Sequence, residues 1–201
     1  MQTTKHPSQK ILILQLLLLA GAVILLYGNF LSSPLVFDDR PFFQNSLLQF
    51  QQTIFSLNLR WLPYTSFGWT RALPGENLVW WHLGNVALHI ANVSLLLLLL
   101  RKLFAALLAG EQASGADNST LSLSWLAFFG ALIFALHPIA VFAVGYLIQR
   151  TILMATLFAL LTWLLFISGL LHNNQKLLMA SAVTYQVCAV KIAMLHIRPA
   201  P

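Results

Sequence analysis

The chain has 201 residues, of which 59% are hydrophobic and only 8% are charged, and its mean hydropathy is +0.79. Soluble domains carry about 25% charged residues, so this composition excludes an ordinary soluble domain and indicates an integral membrane protein with the lipid bilayer as a partner. The formal charge of +6 comes from 11 Lys and Arg spread along the chain without a basic cluster, which makes nucleic acid an unsuitable partner.

The first apolar segment covers residues 11–30 and follows a polar tail, residues 1–10, that carries Lys5 and Lys10. About 20 residues at 1.5 Å each cross the roughly 30 Å of a hydrocarbon core, so this segment predicts a membrane span. A cleaved signal peptide is the alternative, because the Ala-Gly-Ala run at 20–22 resembles a cleavage site. The apolar run continues beyond that point and favours an uncleaved anchor, whose two lysines place the N-terminus in the cytoplasm.

Residues 31–78 are more polar, because they hold four prolines, three acidic residues and three arginines. This stretch predicts a large loop on the non-cytoplasmic side, with short helices at the membrane surface. Several aromatic residues in and after it fit the belt expected at lipid headgroups: Trp61, Tyr64, Trp69, Trp80 and Trp81. Two of the chain's five carboxylates, Asp38 and Asp39, are adjacent at the start of this loop.

The remaining apolar segments predict three further spans and a weaker fifth one. The spans cover about residues 79–100, 123–136 and 151–171, and the fifth segment lies within 177–201. His137-Pro138 interrupts the third span, and because proline suits the first turn of a helix we expect a second helical piece over residues 139–149. The predicted fold class is therefore an all-α membrane protein, a polytopic bundle of four to five transmembrane helices with one large extracytoplasmic loop.

The second predicted span carries four polar residues on one face. At 100° per residue, His82, Asn85, His89 and Asn92 lie within an arc of about 80°. Unsatisfied polar groups in hydrocarbon cost several kcal/mol each, so this stripe must face other helices or a water-filled cavity. The three deeper residues could simply join helices by hydrogen bonds, whereas His82 lies closest to the paired carboxylates.

Three motifs in this order resemble a known family. Phe-Asp-Asp at 37–39 follows the first span, HLGNVALHIAN at 82–92 opens the second, and HPIAVFAVGYLIQR at 137–150 follows the third. Residues 11–171 thus resemble the N-terminal half of GT-C glycosyltransferase-like membrane proteins, in particular bacterial O-mannosyltransferase-like proteins that continue into tetratricopeptide repeats. The resemblance implies one transmembrane domain over residues 11–176 in the bacterial inner (plasma) membrane.

The resemblance also implies an activity, the transfer of a sugar from a polyprenyl-phosphate donor to a protein or glycan acceptor on the non-cytoplasmic face. It assigns the catalytic role to Asp38 and Asp39 and substrate binding to Arg60, His82, His137 and Arg150. A carboxylate within about 3 Å of the acceptor hydroxyl can take its proton, and arginines can clamp a phosphate bidentately. We expect only one carboxylate to be the base and favour Asp38; the pair could also share a divalent cation, Mg²⁺ or Mn²⁺.

Two departures from the family pattern keep an alternative open. Phe142 stands where relatives carry Glu or Gln, and Lys191 is followed by Ile192 where relatives carry Glu. The chain also stops where relatives continue, which suggests a truncated product. The alternative is a non-catalytic membrane protein or degenerate fragment that keeps the fold as a structural or partner-binding subunit.

Each candidate residue also has a simpler interpretation. Asp38 and Asp39 could form a solvated turn or a helix cap. Arg150 could extend to the lipid headgroups, and His137-Pro138 could be only a helix break.

Overall fold

The computed structural model describes residues 9–46, 61–72, 77–108 and 119–193, and within these ranges it contains helices and no strand. The predicted all-α class is therefore confirmed for this part of the chain. The helices are α1 (Gln9–Tyr27), α2 (Trp61–Ala72), α3 (Leu78–Leu108), α4 (Ser119–Leu136), α5 (Ala140–Gly145), α6 (Arg150–Leu171) and α7 (Gln175–Ala193). Shorter turns occur at Gly28–Ser32, Asp39–Pro41, Phe42–Ser46 and Leu147–Gln149.

Three of the described helical stretches are long and apolar enough to cross a membrane: Gln9–Ser32, Leu78–Leu107 and Leu147–Leu171. They correspond to the first, second and fourth predicted spans. The apolar part of α4, the third predicted span, is shorter and covers Ser122–Leu136, and α7 is helical but is not among the three. The chain thus has the helices of a membrane protein, and the total of four to five spans stays a prediction.

Two pairs of side chains show that α1 runs antiparallel to α3. Nη1 of Arg101 donates to Oε1 of Gln15 at 2.7 Å. Twelve residues further along α1, the ring of Tyr27 meets that of His89 edge to face, with centroids 5.4 Å apart. Since the contacts on α1 advance while those on α3 go back, the two helices point in opposite directions.

The same side chains of α1 show that α4 runs beside it in the same direction. Nε2 of Gln15 donates to the carbonyl oxygen of Ser124 at 3.1 Å. The hydroxyl of Tyr27 donates to the carbonyl oxygen of Ala135 at 3.4 Å. Buried alanines at every fourth position of α4, Ala127, Ala131 and Ala135, line the same core. Small residues at this spacing allow close approach of helices in a membrane.

The polar stripe of α3 faces other helices, as predicted. Nε2 of His89 lies 3.1 Å from the carbonyl oxygen of Ala135 in α4, and Nδ2 of Asn92 donates to the carbonyl oxygen of Leu153 in α6 at 3.0 Å. Both residues are buried. For these two residues the structure supports the simpler interpretation, in which polar side chains join helices within the apolar bundle.

A second, aromatic cluster lies where α2 packs against α3 and α6. Its buried members are Phe42, Phe67, Trp81 and Leu147. The ring of Phe43 stacks on Trp81 with centroids 4.3 Å apart. These contacts hold the turn after Asp39 against α2 and α3, and so bring the segment that follows α1 to the start of α6.

The prediction of one continuous helical piece over residues 139–149 is wrong in one respect, because the helix is interrupted near its end. α5 ends at Gly145, and Tyr146 has an extended backbone with φ −99° and ψ 113°. The turn Leu147–Gln149 then leads directly into α6. The physical reason is a long-range contact, since the carboxylate of Asp39 accepts the backbone N–H groups of this turn in place of carbonyl groups of the preceding helix.

α6 and α7 form an antiparallel hairpin. The hydroxyl of Thr162 donates to that of Thr184 at 2.9 Å. Near the connection, Gly169 approaches Leu178 so closely that a Cβ on Gly169 would lie 2.8 Å from the leucine side chain.

α6 runs parallel to α3, because Asn85 contacts Arg150 and Asn92, further along α3, contacts Leu153. The connection between α6 and α7 therefore lies at the end of the bundle where α3 ends.

Candidate functional site

Asp39 is buried, with 1% of its surface exposed, and its carboxylate binds backbone amides. Oδ1 accepts the N–H of Ile148 at 2.8 Å, and Oδ2 accepts the N–H of Leu147 at 3.2 Å. The carboxylate therefore caps the start of the helical stretch Leu147–Leu171, where the helix dipole also favours a negative charge. Asp39 thus fastens the segment after α1 to the start of α6, which corresponds to the helix-cap interpretation of the pair.

Burial raises the pKa of Asp39 above the ordinary range for aspartate. The amide hydrogen bonds from Ile148 and Leu147 lower the pKa, and the neighbouring charge of Asp38 raises it further. The net effect is an increase, because desolvation is the largest of these contributions.

Asp38, in contrast, has an exposed side chain. Its backbone N–H donates to the hydroxyl oxygen of Tyr146 at 2.9 Å, which fixes the position of the residue. Phe37, with 84% of its surface exposed, and Phe142 place their rings against that of Tyr146, with centroids 6.3 Å and 5.6 Å away. Burial raises the pKa of the Tyr146 hydroxyl, and the charges of Asp38 and Asp39 act in the same direction. Of the two candidate bases, Asp38 is the one with an accessible carboxylate.

The aspartate pair does not fit a shared Mg²⁺ or Mn²⁺. Such hard cations need about six oxygen ligands, whereas both carboxylate oxygens of Asp39 face N–H groups whose partial positive charge disfavours a cation. In residues 9–46, 61–72, 77–108 and 119–193 there is also no group of three or more His, Cys, Asp or Glu that could hold a metal ion.

Arg150, at the start of α6, is buried with 2% of its surface exposed. Its guanidinium makes three hydrogen bonds: Nε donates to Oδ1 of Asn85 at 2.8 Å, Nη1 to the hydroxyl of Ser66 at 3.1 Å, and Nη2 to the carbonyl oxygen of Trp81 at 2.7 Å. Its Cζ lies 3.8 Å from the centre of the Phe67 ring. These contacts from α2 and α3 hold the guanidinium in one orientation.

All of these partners are neutral, and no carboxylate of the described ranges pairs with Arg150. A guanidinium has five N–H donors, of which three are used here. One N–H therefore remains on each terminal nitrogen. This is the arrangement with which arginine binds a phosphate or carboxylate bidentately.

Arg150 lines a cleft of about 340 Å³ between α2, α3 and α6. The other lining residues are Ser66, Trp69, Thr70, Trp80, Gly84, Leu88 and Met154. At Gly84 a Cβ would lie only 2.7 Å from Nη2 of Arg150. The absence of a side chain at this position is therefore what allows the guanidinium to reach the cleft.

Asn85 joins the cleft to the break between α5 and α6. Its Oδ1 accepts the hydrogen bond from Arg150, and its Nδ2 lies 3.3 to 3.4 Å from the carbonyl oxygens of Val144, Tyr146 and Leu147. The carbonyl groups left without helical partners at the break thus gain a donor. Because Asp39 accepts the free amides of the same break, one irregular turn positions both Arg150 and the aspartate pair.

The other candidate residues make contacts of their own or lie outside the described residues. His82 is buried, with Nε2 3.1 Å from the carbonyl oxygen of Ser33, while its Nδ1 has no hydrogen-bond partner within the described ranges. His137 is exposed, and its Nδ1 accepts the N–H of Ile139 at 3.3 Å, so it caps the turn into α5. Arg60 lies outside the residues that the structure describes.

Sequence reasoning missed several residues that shape the site. Ser66, Gly84 and Tyr146 carry no charge, and although Gly84 and Tyr146 lie within the quoted motifs, neither was assigned a role there. Gly84 had one usable signal, since it is the only glycine in the long apolar stretch of α3. Asn85 was noticed as part of the polar stripe, but its contact with Arg150 was not foreseen.

Comparison with protein-family models, curated proteins and solved structures finds no match for this chain. The chemistry of the site therefore has to be inferred from its own residues. These are an exposed carboxylate beside a tyrosine, and a buried guanidinium that lines a cleft and has two N–H donors without a partner among the described residues.

Proposed function

We propose that the chain is a GT-C-like glycosyltransferase, or the N-terminal part of one. It transfers a sugar from a polyprenyl-phosphate donor to a protein or glycan acceptor on the non-cytoplasmic face of the membrane. The observation that supports this most is Arg150 at the wall of a cleft, a buried cation whose partners within the described residues are all neutral and leave two of its N–H donors unused.

Burying a charge costs free energy unless the charge is paired. An anion bound in the cleft would therefore be stabilised by the guanidinium. The half-exposed Trp69 and Trp80 at the cleft are of the kind found at the level of lipid headgroups. Leu88 and Met154 supply an apolar wall against which the first units of a lipid chain can pack. A phosphate carried by a lipid matches this combination better than a free sugar phosphate does.

Transfer requires one bond to break and another to form. The bond between the anomeric carbon of the sugar and the phosphate oxygen breaks, and the negative charge that develops on the lipid phosphate is stabilised by Arg150. The acceptor hydroxyl oxygen bonds to the anomeric carbon and loses its proton to the carboxylate of Asp38. Asp38 and Arg150 lie at the same end of the bundle, because Asp39, the neighbour of Asp38, binds the turn that leads into α6, and Arg150 is the first residue of α6.

The non-catalytic alternative is favoured by the roles of three other candidates. Asp39, His82 and His137 all make hydrogen bonds within the chain that stabilise turns or helix ends. Phe142, rather than a carboxylate, lies beside Tyr146. A protein that kept the fold and lost the chemistry would show these contacts too.

The test uses the full chain reconstituted in liposomes with labelled polyprenyl-phosphate mannose and polyprenyl-phosphate glucose, and with peptide and glycan acceptors. We expect Asp38→Asn to lower turnover by a factor of about 10² to 10⁴ while donor binding is kept. We expect Arg150→Lys to weaken donor binding by at least about tenfold, because lysine keeps the charge but loses the planar fork.

His172→Gln is the matched control, because His172 is exposed at the opposite end of α6. It should leave both binding and turnover unchanged. Transfer by Asp38→Asn at the rate of the unmodified chain contradicts the assignment of the base. No transfer by the unmodified chain from either donor contradicts the enzyme proposal and supports the non-catalytic alternative.

A further inference from the structure

A group of three cations, which we call the Arg101 cluster, lies at the end of the bundle opposite Asp38 and consists of Arg101, Lys102 and Lys10. There, Nη1 of Arg101 donates to Oε1 of Gln15 at 2.7 Å. Nε2 of Gln15 in turn donates to the carbonyl oxygen and the hydroxyl of Ser124, at 3.1 Å and 3.2 Å. Gln15 and Ser124 are both buried, so α4 fixes the side chain of α1 that binds the guanidinium of α3.

The position of Arg101 is unusual for a charge. It lies within the membrane-length stretch Leu78–Leu107, about 10 Å along the helix from its end. Within the described ranges its partner is the neutral Gln15, and no carboxylate pairs with it. Four of its five N–H donors have no partner among the residues that the structure describes. Lys102 follows it directly, and Lys10 stands at the start of α1, which begins at this end of the bundle.

The surroundings of the cluster are apolar and exposed. On α1, Leu14 and Leu18 flank Gln15 and have 48% and 47% of their surfaces exposed. A ligand at Arg101 therefore contacts a cation with its polar group and exposed leucine side chains with its apolar part.

We infer that Arg101, oriented by Gln15, binds the phosphate of an anionic phospholipid in the leaflet at this end of the bundle. A basic pocket between transmembrane helices is suited to such a headgroup. A guanidinium binds phosphate bidentately, and the exposed leucines pack against the acyl chains. The site is separate from the cleft at Arg150 and does not depend on the proposed transferase activity.

One competing partner has to be tested. Glu111 and Asp117 lie between α3 and α4 in the sequence, outside the described residues. If either carboxylate neutralises Arg101, the cluster does not need a lipid phosphate. The double variant Glu111→Gln with Asp117→Asn removes both carboxylates and distinguishes these cases.

The experiment measures lipid binding to the purified full chain in a neutral detergent by native mass spectrometry. Phosphatidylglycerol is compared with phosphatidylcholine of the same acyl chains, and thermal unfolding is followed in parallel. We expect phosphatidylglycerol to bind about tenfold more tightly than phosphatidylcholine. The unfolding temperature should also be higher with phosphatidylglycerol than with phosphatidylcholine. Arg101→Gln should bring the two lipids to equal affinity, whereas Arg101→Lys should keep part of the preference.

Two further variants make the result specific. Gln15→Leu keeps the charge of Arg101 but removes the hydrogen bond that orients its guanidinium. The preference for phosphatidylglycerol should therefore fall severalfold without vanishing. Lys176→Gln is the matched control, since Lys176 is an exposed cation at the same end of the bundle, and it should leave the preference unchanged. These variants also keep the test valid if Arg101→Gln does not fold.

Three results would overturn the inference. One is equal binding of the two lipids by the unmodified chain. Another is displacement of phosphatidylglycerol by millimolar inorganic phosphate, which would indicate a site for free anions. The third is a preference for phosphatidylglycerol that appears only in the Glu111→Gln, Asp117→Asn double variant, which would show that Arg101 is normally paired within the chain.

Discussion

Asn85 of α3 accepts a hydrogen bond of 2.8 Å from Nε of Arg150, and this contact connects the cleft to the break before α6. The amide of Asn85 donates to the free carbonyl groups of that break, and the carboxylate of Asp39 accepts its free N–H groups. The irregular turn is thus satisfied from both sides by side chains of distant segments. Its geometry sets the positions of Arg150 and of Asp38 together.

Replacement of Gly84 by alanine should displace Arg150. The added Cβ would meet Nη2 at 2.7 Å, and the guanidinium is held too firmly to move without losing hydrogen bonds. We expect Gly84→Ala to lower the free energy of unfolding by about 1 to 3 kcal/mol. Thermal unfolding of the purified chain in detergent measures this loss.

Gly21→Ala in α1 is the matched control, because no atom lies within 4 Å of its added Cβ. Alanine is the better helix former by about 1 kcal/mol in water, so this variant should be neutral or stabilising. Equal effects of the two substitutions would show that the contact between Gly84 and Arg150 is unimportant.

Asn85→Leu should be much more damaging than Asn92→Leu. The first substitution leaves the Nε of Arg150 and several carbonyl groups buried without partners, and we expect a loss of about 3 kcal/mol or more. The second removes one hydrogen bond, from Nδ2 of Asn92 to Leu153, and relieves an Oδ1 that has no partner within the described ranges. We expect a loss of about 1 kcal/mol or less for it.

Both variants replace a buried asparagine of α3 with leucine, so differences in helix propensity and size cancel. Thermal unfolding and the yield of monodisperse protein measure the comparison. A larger loss for Asn92→Leu would contradict the role assigned to Asn85 at the break.

The helical fold was largely predictable because membrane-length apolar runs have few other solutions in a bilayer. The predicted spans 11–30, 79–100 and 151–171 have their counterparts in Gln9–Ser32, Leu78–Leu107 and Leu147–Leu171. The break at Tyr146 was not predictable from local sequence. It depends on Asp39, a carboxylate more than a hundred residues earlier in the chain, and on Asn85.

The site was predictable only where a charge stands in an apolar context. The aspartate pair stands out in this way, whereas Arg150 is assigned only by the family resemblance. Which aspartate is buried could not be inferred, since adjacent residues differ only in the direction of their side chains, and the fold decides that direction. Ser66 and Gly84 act through contact and space rather than charge, and the sequence offers little signal for such roles.

Phe37→Gly should be neutral or stabilising. Phe37 has a left-handed backbone with φ +46°, which costs an L-residue about 1 to 2 kcal/mol. Its ring is largely exposed, so little burial is lost, and glycine adopts this conformation freely. Glycine also makes the unfolded chain more flexible, which offsets part of this gain. We therefore expect the free energy of unfolding to rise by at most about 1 kcal/mol. Chemical denaturation of the purified protein measures it.

Asn173→Gly is the control for this comparison, because Asn173 has the same φ of +46°. Asparagine tolerates the left-handed region better than phenylalanine does, so the gain there should be smaller. A loss of stability in Phe37→Gly would instead show that the edge-to-face contact with Tyr146 outweighs the backbone strain.

Asp39 should make the stability of the protein depend on pH. Burial raises its pKa in the folded state, whereas in the unfolded chain it titrates near its ordinary value of about 3.9. Below that value both states are protonated and the folded state is favoured most. As the pH rises, the unfolded state ionises first and binds fewer protons, so the free energy of unfolding falls until the pH exceeds the raised pKa of the folded state.

Asp39→Asn should remove this fall, because asparagine does not ionise. It should also cost about 1 kcal/mol at acidic pH, since the hydroxyl oxygen of the protonated carboxyl can still accept an N–H group of Leu147 or Ile148, whereas the amide NH₂ of asparagine cannot. Thermal unfolding in detergent between pH 4 and pH 8 measures both effects. Asp38→Asn, with an exposed side chain, should keep most of the fall. Parallel curves for the unmodified chain and Asp39→Asn would show that the buried carboxylate is not the titrating group.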